Sequence, residues 1–316
     1  MRILVTGGSG FIGQRVVERL VERDHNVVVM SRRPQIFLDA PEKVETVSGD
    51  IREFSDVMKT VSDSGIDRII HVAYTLTAEG EANPLLALQV NCLGTCNVFE
   101  AARLYGIKRV IFCSSIAAYA PTEYYGERAV TEDEDLMKPV SIYGATKVLN
   151  EFMASRFEAR YGTEICSLRI SGVYGTGREE RGVTAWTSQI VSGAVRERPV
   201  FVRLRSTQRA CFIYVDDVAE QVVRLAFLDR PNFRIYNSGG YTATPKDFTN
   251  ILKKYYPNVD VTFDEDAPLW PYPPEVDGTK LEKDIGFKIR DPEDGLLEQV
   301  NQERARLEMR PLQRIA

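Results

Sequence analysis

Tyr143 and Lys147 lie four residues apart in Ser141-Ile-Tyr143-Gly-Ala-Thr-Lys147-Val-Leu-Asn-Glu151, a spacing that puts both side chains on one face of a helix. A phenol with an ordinary pKa of about 10 is a poor base at neutral pH. A neighbouring ammonium favours the phenolate and draws that pKa towards the working range. Such a pair can protonate a carbonyl oxygen or take the proton of a hydroxyl. Of the fourteen tyrosines only Tyr143 has a lysine four residues on. One strand and one loop earlier the chain carries Cys113-Ser114-Ser115-Ile116-Ala117-Ala118-Tyr119. Its serines leave the C-terminal end of an apolar run, where open α/β sheets gather their ligands, and Ser115 can donate a hydrogen bond to the reacting oxygen. A helix-surface Tyr–Lys pair and a capping serine are the structural alternatives.

A second cluster supplies a place for a charged ligand. Arg2-Ile-Leu-Val-Thr6-Gly7-Gly8-Ser9-Gly10-Phe11-Ile12-Gly13 runs from an apolar strand through a glycine turn into a helical pattern of Val16, Val17, Leu20 and Val21. At the start of such a helix, free backbone N–H groups and the positive end of the dipole face an anion. Gly7 permits the tight turn, Gly10 lets backbone approach phosphates, and Gly13 lets helix pack on strand. The arrangement implies a pyrophosphate-bridged dinucleotide; the alternative is a glycine-rich β–α turn without a ligand. The second strand, Val27-Val-Val-Met30, ends in Ser31-Arg32-Arg33. An acidic residue there hydrogen-bonds the adenosine ribose and selects NAD. Neutral Ser31 followed by two arginines suits a 2′-phosphate better, because a guanidinium binds phosphate through two N–H groups. NADP is therefore favoured over NAD, the alternative being that Arg32 and Arg33 are solvated loop charges. After the third strand, Asp50 can accept from the adenine amino group while Ile51 packs on the ring.

The rest of the chain must hold these pieces together. Its first half alternates apolar runs at 2–6, 26–30, 43–47, 67–72, 108–113 and 164–170 with helical patterns near 11–23, 53–63, 84–105 and 142–161. That alternation predicts an α/β fold, a Rossmann-type doubly wound parallel sheet with helices on both faces. From Gly172 onward the rhythm is irregular, with Pro-rich loops such as Pro268-Leu-Trp-Pro-Tyr-Pro-Pro274. The expected division is a dinucleotide-binding domain over 1–171, to which 207–238 returns, and a smaller C-terminal substrate-binding lobe built from 172–206 and 239–316. At 316 residues the chain is long enough for one large core. A net charge of −5 leaves no basic footprint for nucleic acid or an anionic membrane. No apolar run approaches the roughly 20 residues of a membrane span, and Met1 leads straight into a strand, with no place for a signal peptide. Five cysteines, an odd number in mostly apolar surroundings, suit reduced thiols of a cytoplasmic protein. Two histidines, His25 and His71, are too few for a His-based metal site or a Ser-His-Asp triad. Cys92 and Cys96 lack a second pair to complete zinc coordination, so no metal is expected.

Together these segments resemble the extended short-chain dehydrogenases/reductases of the NAD-dependent epimerase/dehydratase type. The resemblance is carried by Thr6 to Gly13, Gly49-Asp50, His71-Val-Ala73, Asn91-Cys-Leu-Gly-Thr-Cys-Asn-Val98, Ser114-Ser115, Tyr143 to Lys147, Phe212-Ile-Tyr-Val-Asp-Asp217 and Lys280-Leu-Glu-Lys-Asp-Ile-Gly-Phe287. It implies Ser115, Tyr143 and Lys147 as a catalytic trio, Lys147 also holding the nicotinamide ribose. It implies that backbone near Phe11 and Ile12 meets the pyrophosphate, that Asp50 and Ile51 meet the adenine, and that Ala73 lies along the cofactor. Asn91 is implied mainly as a shaper of its helix. A homodimer paired through the long helices near 84–105 and 142–161 is implied as well.

Three departures from that pattern narrow the chemistry. Sugar-nucleotide dehydratases of this type carry Asp-Glu directly after the catalytic hydroxyl residue; here Ile116 and Ala117 stand there, with no acid for an elimination. Nucleotide-sugar enzymes carry Asn before the Val-Tyr-Gly that follows the sixth strand; here it is Gly172. They also carry Arg two residues before the Phe of Phe-Ile-Tyr-Val-Asp-Asp; here it is Ala210, with Arg209 one step earlier. Arg178, Arg181, Arg203 and Arg205 remain as sources of positive charge, and Trp186, Trp270, Tyr124, Tyr125 and Tyr272 as candidates to line an aromatic pocket. These residues point to an NAD(P)-dependent oxidoreductase that moves hydride between nicotinamide C4 and a hydroxyl or carbonyl carbon of a small-molecule substrate, with Tyr143 as general acid/base. The alternatives are a nucleotide-sugar 4-epimerase that keeps its NAD, and a non-catalytic cofactor-binding protein.

Overall fold

Six of the strands follow the apolar runs closely in the computed structural model, which describes residues 1–33, 42–126, 128–133, 137–178 and 182–315. They are β1 (Arg2–Thr6), β2 (Asn26–Ser31), β3 (Val44–Ser48), β4 (Arg68–His71), β5 (Arg109–Ser115) and β6 (Glu164–Ile170). Helix α1 (Phe11–Glu22) joins β1 to β2, and α2 (Phe54–Ser64) joins β3 to β4. Between β4 and β5 lie α3 (Thr77–Ala82), α4 (Pro84–Ala87), a π-helical stretch Leu88–Leu93 and α5 (Gly94–Leu104). Helix α6 (Ile142–Tyr161) leads into β6. Then follow β7 (Gly172–Tyr174), α7 (Ala185–Val195), β8 (Val200–Val202), β9 (Ala210–Tyr214), α8 (Val215–Phe227), β10 (Ile235–Asn237), β11 (Tyr241–Ala243), α9 (Pro245–Tyr255), β12 (Val261–Phe263), α10 (Thr279–Ile285) and α11 (Pro292–Arg306).

Seven of these strands make one parallel sheet in the order β10-β6-β5-β4-β1-β2-β3. Because side chains alternate across a strand, Ile3 and Val5 enter the core on one face while Leu4 enters the core on the other. Both faces are covered: Val16, Val17 and Leu20 of α1 pack on the first, and Val57, Val61, Val98 and Phe99 of α2 and α5 on the second. The chain leaves β1 towards β3 on one side and returns at β4 on the other. The crevice at the carboxyl ends of β1 and β4 is thus the switch point where such sheets hold ligands.

The remaining strands form a three-stranded sheet, β11-β9-β7, and a pair, β12-β8. Within 207–238, β10 lies beside β6 in the large sheet, but β9 pairs with β7 and β11 instead. Trp186 is buried here, edge-on to Phe212 and Phe248, so it fills the core of this part and does not line a pocket. One helical stretch, Pro84–Leu104, has the length and hydropathy to cross a membrane by composition alone, contrary to the expectation from apolar runs. Half of it is buried: Ala87, Asn91, Val98, Phe99 and Ala102 face inward, while Leu85, Leu88 and Leu93 remain exposed.

His71, the last residue of β4, clamps three elements. Its Nδ1 lies 2.6 Å from Thr6 Oγ1 on β1, and its Nε2 lies 2.9 Å from Thr95 Oγ1 on α5. Burial, with the nearby Lys147 charge, lowers its pKa to about 3, so the ring is neutral. An unfolded chain takes up this proton near pH 6.5 and the folded one does not, so the stabilising contribution is full above pH 6.5 and fades as pH falls towards 3. The expected loss between pH 6.5 and 5 is about 2 kcal/mol from this group. Denaturant unfolding at both pH values checks it: His71→Gln should flatten the pH dependence by that amount, and an unchanged slope would refute the clamp's titration.

Candidate active site

The carboxyl edge of the sheet brings Ser115, Tyr143 and Lys147 together. Ser115 ends β5, and Tyr143 and Lys147 come from the first two turns of α6. That helix starts where it does because the Ser141 hydroxyl accepts from the Gly144 N–H at 3.1 Å. Gly144 is required by close packing: a Cβ there would stand 2.2 Å from the Ala117 carbonyl oxygen. The contact presses the start of α6 onto the turn Ile116–Ala118 and carries Tyr143 to Ser115. Ser115 Oγ accepts from the Ala117 N–H at 3.1 Å, capping that turn, and stands next to the Tyr143 phenol. Its capping and its contact with the phenol coexist.

Tyr143 is buried, and burial pushes its pKa well above the ordinary value, with Tyr74 adding to the rise. The neighbouring Ser115 and the Arg178 charge act in the opposite sense. Lys147 is 2% exposed. Its Nζ donates to the Cys113 carbonyl at 2.7 Å and lies 4.7 Å, 4.8 Å and 5.3 Å from the ring centres of Tyr74, Phe112 and Tyr143. Burial draws its pKa down to about 8. The expectation that Lys147 lowers the phenol's pKa is thus revised for this structure. The ammonium directs its hydrogen bond at the strand, Tyr143 presents its ring to it, and desolvation outweighs the charges.

Behind the trio lies a pair the sequence reading missed. Glu151, one turn beyond Lys147, accepts from Ser114 Oγ at 2.5 Å and from Arg169 Nη2 at 2.7 Å. Arg169 also donates to the Tyr119 hydroxyl at 2.8 Å. Glu151 is 6% exposed and Arg169 3%, so the pair is buried and fully bonded. An arginine inside the apolar run Ile165-Cys-Ser-Leu-Arg-Ile170 was the available signal. Asn91 sits in the π-helical stretch and ties the next loop down: its Oδ1 accepts from the Thr75 N–H at 2.7 Å and its Nδ2 donates to the Thr75 carbonyl at 3.1 Å.

The glycine turn fits a dinucleotide. Gly7 has φ +73°, and a Cβ there would lie 2.8 Å from the backbone of Ala73 across the switch point. A Cβ on Gly13 would lie 2.1 Å from the Gly7 carbonyl oxygen. No side chain caps α1 at Gly10, so the helix N-terminus at Phe11 and Ile12 is open to an anion. At the adenosine end, Ser31 Oγ lies 3.0 Å from Ser9 Oγ, and Arg32 and Arg33 are exposed. Asp50 has a partner not foreseen, Arg52, which donates to it at 2.6 Å and 2.9 Å and lowers its pKa. Ile51 is buried against Gly94 of α5, where a Cβ would stand 2.7 Å from its side chain.

A cavity of about 640 Å³ opens in front of Ser115 and Tyr143. Its walls include Tyr74, Ile116, Ala117, Gly172, Arg178, Ala210, Trp270 and Tyr272. Gln208 Oε1 accepts from the Trp270 backbone N–H at 2.8 Å and so positions this residue. Of the arginines proposed from sequence, Arg178 reaches the cavity. Arg205 donates to the Ala267 carbonyl at 2.7 Å, Arg203 and Arg209 are exposed, and Arg181 lies outside the described residues. Tyr125 is buried, its hydroxyl accepting from the Ala120 N–H, and Tyr124 is exposed, so neither lines the cavity. The five thiols are free, three of them buried.

A glycine turn at the switch point of a parallel sheet, with Ser, Tyr and Lys at its carboxyl edge, defines a Rossmann-type nicotinamide-dependent enzyme. Residues 3–239 match the NAD dependent epimerase/dehydratase family, and the chain belongs to that family. It is an NAD(P)-dependent oxidoreductase or epimerase. The mitochondrial L-threonine 3-dehydrogenase of Bos taurus is 29% identical over 301 residues, 91% of this chain and 78% of that protein. The structure of Thermus thermophilus UDP-glucose 4-epimerase complexed with NAD is 27% identical, with a TM-score of 0.82 over 96% of this chain and 99% of that one. A GalE-like L-threonine dehydrogenase from Cupriavidus necator, 24% identical, shares the fold with a TM-score of 0.84 over 95% of this chain and 99% of its own.

Proposed function

We propose that this protein is an NAD(P)(H)-dependent alcohol dehydrogenase or carbonyl reductase acting by net hydride transfer on one carbon of a small molecule. The observation that carries the proposal is the grouping of Ser115 and Tyr143 on the wall of the 640 Å³ cavity, next to the buried Lys147 and the glycine turn. When bound, a nicotinamide dinucleotide supplies the hydride acceptor or donor. Gly7, Gly10, Gly13 and the backbone at Phe11 and Ile12 would hold its pyrophosphate, with Ala73 alongside, and Lys147 its nicotinamide ribose. Asp50 and Ile51 would border the adenine. Ser115 holds the substrate oxygen, and the Tyr143 phenol gives it a proton in reduction; in oxidation the Tyr143 phenolate takes that proton back. A substrate oxygen beside the phenol gives the proton somewhere to go, which the buried phenol lacks alone. Ile116 and Ala117 on the cavity wall offer no acid for dehydration. Ala210 and Gly172 offer no charged or amide group for a sugar diphosphate, and the bovine relative is a dehydrogenase. The likeness to the Thermus epimerase favours a second reading, a 4-epimerase, which would retain its NAD and show no net change in the reduced-nicotinamide absorbance at about 340 nm.

The proposed cofactor is NADP(H). Ser31 lacks the carboxylate that would repel a 2′-phosphate, and Arg32, Arg33 and Arg52 gather positive charge nearby, Arg52 already neutralising Asp50. A homodimer is also proposed. Exposed Leu85, Leu88 and Leu93 on the helical stretch before β5, with Leu149 and Phe152 on α6, are apolar side chains that a second copy can cover.

Tyr143→Phe should lower kcat by about 10²- to 10⁴-fold, the usual size of a general acid–base contribution, while cofactor affinity stays within roughly twofold. Stopped-flow or steady-state assays at saturating cofactor check this, and unchanged turnover would exclude the assignment. Calorimetric titration should show NADP⁺ binding about 10-fold more tightly than NAD⁺, with Ser31→Asp reversing the order; tighter NAD⁺ binding to the unmodified protein refutes the choice. Light scattering should give a dimer mass for the native chain and a monomer for Phe152→Glu; a native monomer removes the dimer.

A further inference from the structure

The cavity has one cationic side chain among its described lining residues, Arg178, and that cation is held in place. Its Nη1 donates to Thr184 Oγ1 at 3.1 Å. Thr184 is fully buried and its hydroxyl donates in turn to the Val173 carbonyl. The guanidinium lies 4.7 Å from the ring centre of Phe11, and its charge acts on the Tyr74 phenol. Gly182 crosses it closely: a Cβ there, at a residue with φ +89°, would stand 3.2 Å from Nη1. Tyr74 is the link to the chemistry, its ring centre 5.8 Å from that of Tyr143. A guanidinium braced by a buried threonine, a ring and a glycine loses little side-chain freedom on meeting a ligand, which is what an anion-binding group needs.

Among the described residues no carboxylate pairs with Arg178. The bond to Thr184 engages one N–H of a five-donor fork, and Arg178 lines the cavity. The other lining residues are mixed: Ile116, Ile170, Val183 and Trp270 are apolar or aromatic, while Thr77, Ser171 and the exposed Glu79 are polar. One fixed cation, a serine and a phenol one side chain away, and walls that include Ile116, Ile170, Val183 and Trp270 select a particular kind of molecule. A diphosphate carries more charge than the one guanidinium among the described lining residues meets. A neutral alcohol leaves that guanidinium without an anion.

We propose that Arg178 binds the carboxylate of the substrate, and that the substrate class is hydroxy acids and their keto-acid counterparts with a compact apolar body. This rests on the dehydrogenase reading above, with the carbon to be oxidised placed at Ser115 and Tyr143 and the acid group a few bonds away at Arg178. The step balances in the direction of reduction: the keto carbon would gain hydride from a bound reduced nicotinamide, its oxygen would gain the proton of the Tyr143 phenol, and the hydroxy acid would leave; oxidation is the reverse, starting from the Tyr143 phenolate. The carboxylate is unchanged. Arg178 is a specificity residue for this reaction.

The test separates binding from turnover. The full-length protein, loaded with NADP⁺ or NAD⁺, is titrated with 3-hydroxybutyrate, with 3-hydroxy-3-phenylpropionate, and with the methyl ester of each, following tryptophan fluorescence and calorimetric heat. The acids should bind about 10- to 100-fold more tightly than their esters, the size expected of a charge-assisted pair. Arg178→Gln should bring that ratio to about 2 or below while leaving cofactor affinity and melting temperature unchanged, and Arg178→Lys should restore part of it. Equal binding of acid and ester by the native protein overturns the proposal. So does a ratio that survives Arg178→Gln, or a loss in that variant of cofactor affinity alone, which would assign Arg178 to the cofactor. Failure of the dehydrogenase reading shows separately, as turnover indifferent to Tyr143→Phe with the acid-over-ester preference intact.

Discussion

A lysine ammonium with 2% exposure cannot be left without a partner, because stripping it of water costs several kcal/mol. Lys147 meets that constraint with the Cys113 carbonyl of β5, three faces of aromatic ring, and the acidic Glu151 one turn further along α6. The bond ties the helix that carries the phenol to the strand that ends in the serine. Glu151 reinforces the same junction through Ser114, the neighbour of Ser115, and is itself neutralised by Arg169 from β6. Three consecutive residues of one strand, Cys113, Ser114 and Ser115, thus meet Lys147, Glu151 and Tyr143 of one helix. The reactive geometry is a by-product of how two elements are buried against each other.

The opposite wall of the groove is built by polar groups that have no chemical part to play. His71 joins β1 to α5, and Asn91 holds the Thr75 loop while donating to Thr146 of α6 at 3.3 Å. Asn150 of α6 reaches back to the Asn91 carbonyl at 2.7 Å. That carbonyl lies in the π-helical stretch, where the regular ladder is interrupted and a carbonyl is available to an outside donor. A buried network of this kind is specific only because nearly every member is satisfied. It sets the separation between the glycine turn and α6, and so the width of the space between cofactor and phenol.

The arginines divide by where their partners lie. Arg290 pairs with buried Asp217 at 2.9 Å, Arg23 with Glu220 at 2.7 Å, and Arg52 with Asp50 at 2.6 Å. The Val-Asp-Asp segment after β9 is therefore a structural signature: Asp217 anchors the chain before α11 and touches no ligand groove. What remains facing the cavity is Arg178. The same sequence carries many cations, but packing assigns all the described ones except a few to acids, carbonyls or solvent.

Much of this was legible in the chain alone. Short continuous apolar runs such as Ile3-Leu-Val5 and Val27-Val-Val-Met30 specify strands buried on both faces, the glycines after Thr6 specify the turn, and the four-residue spacing of Tyr143 and Lys147 specifies a shared helix face. These are local rules, in which each residue's role depends on neighbours a few positions away. The partners of charged and aromatic side chains were not legible. Glu151 with Arg169, Asp50 with Arg52, the turn of Lys147 towards Cys113, and the choice of Arg178 over Arg205 and Arg209 all depend on which surfaces meet across the sheet. Periodicity in the sequence decided what each segment becomes; only burial of one segment against another decided which charge is neutralised and which is left to meet a ligand, because that balance is set by desolvation and distance in three dimensions.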